Sequence, residues 1–398
     1  MKKIVVLAII FLGVATVVLY AKGWTHVITA RFDDWAVEKS MRACSQTDAA
    51  KREQCLNRAI RRATAWYGVE AALGGVGTVF AQDQASGQLC HDLTHAIGQE
   101  AYRTYARGGR FPISPKTAYC SYGFFHGVSE ALVAATGDVR EVRKFCDYVL
   151  QESDLKGPDP EYQCYHGLGH GTVNPHDQAL WGDPVAIAMP AIALCRQVAQ
   201  TPNQLESCGT GIFAGMAIFF KQGDYGLSIK RNDPFWFCRE VPSDFREVCF
   251  SEFHSVATVA ADGDWRRAVS YIEAIPEDAY ATAAMRTKGI DLLQFMQGRD
   301  DYREGLAQCR SVQTRLQQAC IQDFVRQIWQ DSKPGEEFDN MFRFCSSSQV
   351  TPEERVPCWK HAFGYLRMYE VGEQGSVCSR LTDPEYQKAC DEHVALSN

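Results

Sequence analysis

Residues 238–249 read CREVPSDFREVC, two cysteines 11 apart around a polar centre that holds Pro242, Ser243 and Asp244. Such a centre suits one helix ending, a tight turn and a second helix beginning, with the cysteines placed to tie the two together near the turn. The same text recurs along the chain as CRSVQTRLQQAC (309–320), CSSSQVTPEERVPC (345–358) and CSRLTDPEYQKAC (378–390). Pairs 44/55 and 195/208 have the same 11-to-13 spacing, 146/164 is looser and 90/120 looser still. The sixteen cysteines thus divide into eight expected bridges. With no CxxC in the chain, zinc ribbons, thioredoxin-like redox motifs and covalently attached c-type haem are excluded.

The long interval between Cys249 and Cys309 tests the repeat. IEAIPEDAYATA (272–283) aligns with the opening stretch, with Ile272 and Ala283 in the cysteine positions and Pro276 opposite Pro242. Positions 249, 283, 320, 358 and 390 then advance by 34, 37, 38 and 32. That is the size of a helix-turn-helix repeat, whose units must stack to bury their apolar faces. The expected fold is all-α: an α-solenoid or curved array of about eight to nine disulfide-stapled helical hairpins. In its cysteine spacing and period it resembles secreted cysteine-rich proteins built from Sel1-like or tetratricopeptide-like repeats. The resemblance implies an architecture over most of residues 40–395 and carries no active-site residue across.

The chain has 398 residues, 41 basic and 48 acidic, for a net charge of −7. Its one basic run, KREQCLNRAIRR at 51–62, is short, so nucleic acid is not an expected partner. Met1-Lys2-Lys3 precedes an uncharged run from Ile4 to Tyr20, the pattern of a signal or signal-anchor segment. Residues 1–23 are therefore read as a single-span anchor or, if cut, a signal peptide. The remainder of the chain is expected outside the cytoplasm, periplasmic or at the cell surface, where an oxidising space lets disulfides persist. The other divisions expected are a helical region over 24–87, a histidine-rich repeat region over 88–225 and C-terminal repeats over 226–398. GIFAGMAIFF (211–220) is too short to be a second span.

CSYGFFHG (120–127), CYHGLGHG (164–171) and CGTGIFAG (208–215) superpose as Cys-x-x-Gly-x-x-His/Ala-Gly. The glycines belong to the repeat and predict close helix packing. The histidines are an addition, because Ala214 stands in the third copy where His126 and His170 stand in the others. Five of the ten histidines lie within residues 91–170, where an even scatter would give about two. His91 and His95, His126 and Glu130, and His166 and His170 are each spaced i, i+4, so each pair shares a helix face and can present two donors to one ion. The other five (His26, His176, His254, His361 and His393) read as surface, loop, core or groove residues.

HDLTH (91–95) resembles the HExxH of zinc peptidases, with Asp92 in the glutamate position and one methylene shorter. His91, His95, His126, His166 and His170 are the candidate metal ligands, for zinc first and copper or iron next. Glu130, Glu100 and Asp92 are the candidate acid–base groups for a metal-activated water. The expected function is an extracytoplasmic metal-binding protein and metalloenzyme, hydrolase or oxidase, with a haem between two histidines as a minor alternative. The second reading is a non-enzymatic repeat module that binds a protein or peptide partner in the cell envelope.

Overall fold

The computed structural model describes residues 33, 35–44, 49–82, 87–152, 159–173, 177–288, 292, 301–330 and 337–369, with single positions at 378, 384, 387, 388 and 391. Among the described residues the regular structure is helical, with no β-strand. The expected segment at 1–23 lies outside them, as do His26, His176, His393 and Cys390. None of the described helices is long and apolar enough to cross a membrane.

The stretch at 238–249 forms the hairpin its residues predict. One helix ends at Glu240, Val241 and Pro242 turn, and the next starts at Ser243. Proline serves here because its fixed φ suits the turn and it has no N–H to leave unsatisfied. Neighbouring helices start by recognisable chemistry. Asp183 accepts from the N–H groups of Val185 and Ala186 ahead of Pro184, and Thr201 accepts from Gln204 ahead of Pro202.

Contact density divides the chain into Met1–Val128 and Ser129–Asn398, and the division passes through the middle of one helix, Tyr119–Thr136. The first unit carries α1 (35–42), α2 (Ala49–Tyr67), α3 (Val69–Gln82), α4 (Gly87–Tyr105) and the first half of α5 (Tyr119–Thr136). Within it α2 packs on α3 and α4, and α3 on α4.

The second unit continues with the rest of α5, α6 (Val139–Glu152), α7 (Asp159–Thr172), α8 (Pro184–Val198) and α9 (Pro202–Gln222). The helices α10 (Trp236–Glu240), α11 (Ser243–Glu252), α12 (His254–Ala260), α13 (Trp265–Glu273) and α14 (Asp278–Met285) come next. Last are α15 (Arg303–Arg310), α16 (Thr314–Gln330), α17 (Glu337–Ser346) and α18 (Pro352–Tyr369). The second helix of each hairpin packs on the second helix of the next, in the order α7, α9, α11, α14, α16 and α18. Aromatic groups fill the layers between them: Phe220, Phe237 and Phe253 stand 5.3–5.7 Å apart by ring centroid, and Phe344 lies 4.8 Å from Tyr302 and 5.2 Å from Phe324.

Seven of the eight expected disulfides are present: 44–55, 90–120, 146–164, 195–208, 238–249, 309–320 and 345–358. The eighth, 378/390, involves Cys390, outside the described residues. Six of the seven join the two helices of a hairpin. The 90–120 bridge differs, because Cys90 and Cys120 both open their helices and so tie α4 beside α5. The cysteine-free unit is a hairpin too: α13 and α14 flank the turn, and Ile272 and Ala283 are buried where cysteines stand elsewhere.

The recurrent glycines are where helices touch backbone to backbone. A Cβ on Gly98 would run into the carbonyl oxygen of Phe124, and one on Gly127 into that of His95. In the second unit a Cβ on Gly169 would meet the carbonyl of Cys208, one on Gly211 that of His166, and one on Gly171 the Cα of Glu130. Glycine is required at these places because only a hydrogen fits between the chains.

Candidate metal centre

Close helix packing is what brings the histidines together. α7 lies against α9 through Gly169 and Gly211, and within the second unit the last turns of α5 meet α7 at Gly171. His166 and His170 are on successive turns of α7 with ring centroids 5.7 Å apart. His126 stands on α5, one turn before the point where that helix meets α7. His126, His166 and His170 each offer a ring nitrogen, and the three nitrogens all lie within 4.8 Å of one another. His126 is buried, and the other two are half-buried.

The protonation of His166 is set by its neighbours. The Thr210 hydroxyl donates its single hydrogen to the Ser207 carbonyl at 2.7 Å, so toward His166 Nδ1, 2.8 Å away, its oxygen acts as acceptor. Nδ1 therefore carries the proton and Nε2 carries the lone pair, which is how an outer hydrogen bond prepares an imidazole for a metal. The Tyr162 hydroxyl approaches the same threonine oxygen at 3.3 Å, and its ring stacks on His166 with centroids 5.7 Å apart. Although Tyr162 is 38 % exposed as a whole, desolvation at its hydroxyl raises the phenol above its ordinary pKa, so it stays a donor. Gly215 of α9 leaves room beside His170, since a Cβ there would already touch Nδ1 at 3.6 Å.

The other expected residues have different surroundings. The His95 ring stands edge-on to His126 with centroids 5.2 Å apart, but His95 is not among the three that converge. The side chain of His91 lies outside what the structure describes. Glu130 follows His126 by one turn on α5 and is partly exposed. Glu100 accepts from Arg61 at 3.2 Å and from Arg103 at 2.8 Å, an ion-pair network between α2 and α4. Asp92 is exposed on α4.

Sequence reasoning missed Thr210 and Tyr162. The signal for Thr210 was available, because it occupies in the third glycine motif the place His166 occupies in the second. Chemically, three convergent imidazoles, one with its tautomer set, fit a borderline transition metal better than calcium or magnesium, which take oxygen ligands. Comparison of the chain with protein-family models and with curated proteins finds no match to either.

Proposed function

We propose that this chain is an extracytoplasmic metal-binding protein in which His126, His166 and His170 hold a transition-metal ion, zinc by preference and copper or iron next. The observation that carries the reading is the convergence of three ring nitrogens within 4.8 Å of one another. Ligand nitrogens in a tetrahedral zinc site are about 3.3 Å apart at bond lengths of about 2.0–2.1 Å, a distance that small side-chain rotations reach from here. An ion held by three histidines keeps a position for water and lowers its pKa, the chemistry a hydrolase uses. Thr210 holds His166 in the ligating tautomer, and Glu130, one turn from His126, is the carboxylate nearest in sequence to take a proton.

The scaffold in this reading is an array of stacked hairpins of the Sel1-like or tetratricopeptide-like kind. The neighbour-to-neighbour packing of α7, α9, α11, α14, α16 and α18 supports it. The disulfides support an oxidising compartment, and the apolar run at 4–20 supports anchoring or export through the N-terminus.

The test is metal analysis of protein purified without a histidine tag, alongside His170→Ala and His126→Ala with circular dichroism as a folding control. One equivalent of metal in the parent, lost in folded variants, is the expected result. A parent that takes up none after exposure to Zn²⁺, Cu²⁺ and Fe²⁺ ends the proposal.

A further inference from the structure

The basic run KREQCLNRAIRR at 51–62 has no part in the histidine triad, and within Met1–Val128 part of it lines a surface groove. The groove has a volume of about 610 Å³ and runs between α1 and α2. Its floor is made of small side chains, Ala36, Ser40 and Ala43 on α1 and Ala59 and Ala63 on α2. Spacings of three and four put each set on one face of its helix, and because these side chains are short the two helices leave a trough between them.

The Cys44–Cys55 bridge closes the trough at the end where α1 gives way to α2. It holds the two helices together whether or not anything lies between them, so the groove is preformed. Counted away from the staple, the lining residues run back to Ala36 on α1 and forward to Trp66 and Tyr67 on α2. The far end is therefore aromatic, and it is the end at which the chain enters α1. Trp66 is 82 % exposed, the most of any large apolar side chain among the described residues, and Trp35, beside Ala36, is 50 % exposed.

Arg58 and Arg62 stand one turn apart on the wall of the groove, both exposed. Among the described residues no carboxylate lines the groove and no ion pair reaches either guanidinium; Arg58 donates to the Gln54 carbonyl of its own helix at 3.4 Å. Nearby acids are engaged elsewhere, Glu38 with Arg42 at 2.7 Å and Glu100 with Arg61 at 3.2 Å. A chain of net charge −7 thus keeps two unneutralised cations, an apolar trough and an exposed tryptophan in one place. A patch of that composition marks an interaction site.

We infer that this groove docks on a membrane surface: the phosphate of an anionic phospholipid meets Arg58 and Arg62, the upper carbons of its tails lie on the alanine floor, and Trp66 sits at the level of the headgroups. The groups themselves select this occupant. A soluble anion uses the arginines and leaves the trough empty, while a neutral apolar helix fills the trough and leaves the arginines without an anion. A lipid presents both, and tryptophan and tyrosine favour the interface because each has an apolar body and a polar tip. Position agrees, since from Tyr20, where the apolar run ends, to Trp35 is 15 residues, no more than about 50 Å of extended chain. That last point rests on the anchor proposed above; the chemistry of the groove does not.

The full chain is reconstituted with vesicles of phosphatidylcholine alone and of phosphatidylcholine with phosphatidylglycerol in rising proportion, each with a trace of lipid carrying a nitroxide on its headgroup. Flotation with the phosphatidylcholine vesicles reads the anchor. Quenching of Trp66 fluorescence, taken as the difference between parent and Trp66→Phe, reads the groove. Quenching that rises with phosphatidylglycerol, saturates, and weakens as added salt screens the charges is the expected result. Arg58→Gln and Arg62→Gln, both at exposed positions, should each raise the half-saturating proportion about fivefold, and the two together about 25-fold. A chain that does not float with phosphatidylcholine but shows this quenching loses the anchor and keeps the groove. Absence of quenching, quenching equal in both kinds of vesicle, or quenching that neither arginine substitution alters overturns the inference. So does a Trp66 already shielded from acrylamide in lipid-free chain that sediments as a dimer, because a second copy then covers the groove.

Discussion

At the scale of single residues, the chemistry turns on which atom holds a proton. Thr210 sets His166 as the Nδ1–H tautomer through a hydroxyl committed to Ser207. Thr210→Val keeps the shape and removes the acceptor, so metal affinity should fall about 10- to 100-fold while the thermal midpoint barely moves. Competition with a chromogenic chelator measures it, and an unchanged affinity would mean the threonine only fills space. Glu252 gives a pH signature. Its carboxyl is held protonated up to about 7 in the fold against 4.5 as the ordinary value, so between these pH values the folded chain keeps a proton the unfolded chain has lost. Its contribution to stability is full below about 4.5 and is lost as pH rises through about 7. Glu252→Gln cannot ionise and should gain on the parent across that window, by up to about 3 kcal/mol. His254 works in the opposite sense, because its lowered pKa costs stability as pH falls from 6.5 toward about 3. The two slopes oppose each other near pH 5–6, so the informative quantity is the difference in urea midpoint between variant and parent at acid and alkaline pH. A difference that does not change with pH would show that Glu252 titrates as an ordinary carboxyl.

At the scale of elements, glycine position decides how near two helices come. Gly211 faces the His166 carbonyl so closely that Gly211→Ala must separate α9 from α7, and a loss of about 3 kcal/mol or more is expected, with His166 and His170 displaced together. Gly364 in α18 is a control, since a Cβ there would meet nothing within 4 Å. Gly364→Ala should be neutral or gain about 0.5–1 kcal/mol from helix propensity alone. Thermal or urea unfolding of the two variants distinguishes packing from propensity. Similar effects at both sites would contradict the close crossing of α7 and α9. The recurrence of Cys-x-x-Gly in three motifs already marked Gly211 as a packing residue, because a feature shared between sister repeats belongs to the fold and not to one site. The same comparison separated His170 from Ala214.

At the scale of the whole molecule, the hairpins of the second unit pack on their neighbours in sequence, and the staples compensate for how little one hairpin can bury alone. The 309–320 bridge closes a short loop, for which the chain-entropy account gives about 3 kcal/mol. Cys309→Ala with Cys320→Ala should cost about that much and loosen α15 and α16 ahead of distant hairpins, which hydrogen exchange resolved by segment can measure. Uniform loss of protection along the chain would instead mean these hairpins unfold as one unit.

Cysteine spacing, proline position and the glycine motif were enough to read hairpins, staple pairing and even the cysteine-free unit at 272–283, because these are local quantities fixed over a dozen residues. The i, i+4 rule likewise put His166 and His170 on one helix face. Which helices come near enough to pool their donors is a different matter, since it depends on contacts between residues some forty apart. Of the four histidines read from spacing whose side chains the structure describes, three converge, with Thr210 added as the residue that orients one of them. Burial is the other thing the sequence does not carry: nothing about Glu252, His254 or Lys288 as letters says that protein surrounds them. Their altered proton affinities arise only when stacked hairpins exclude the water that would otherwise solvate each charge.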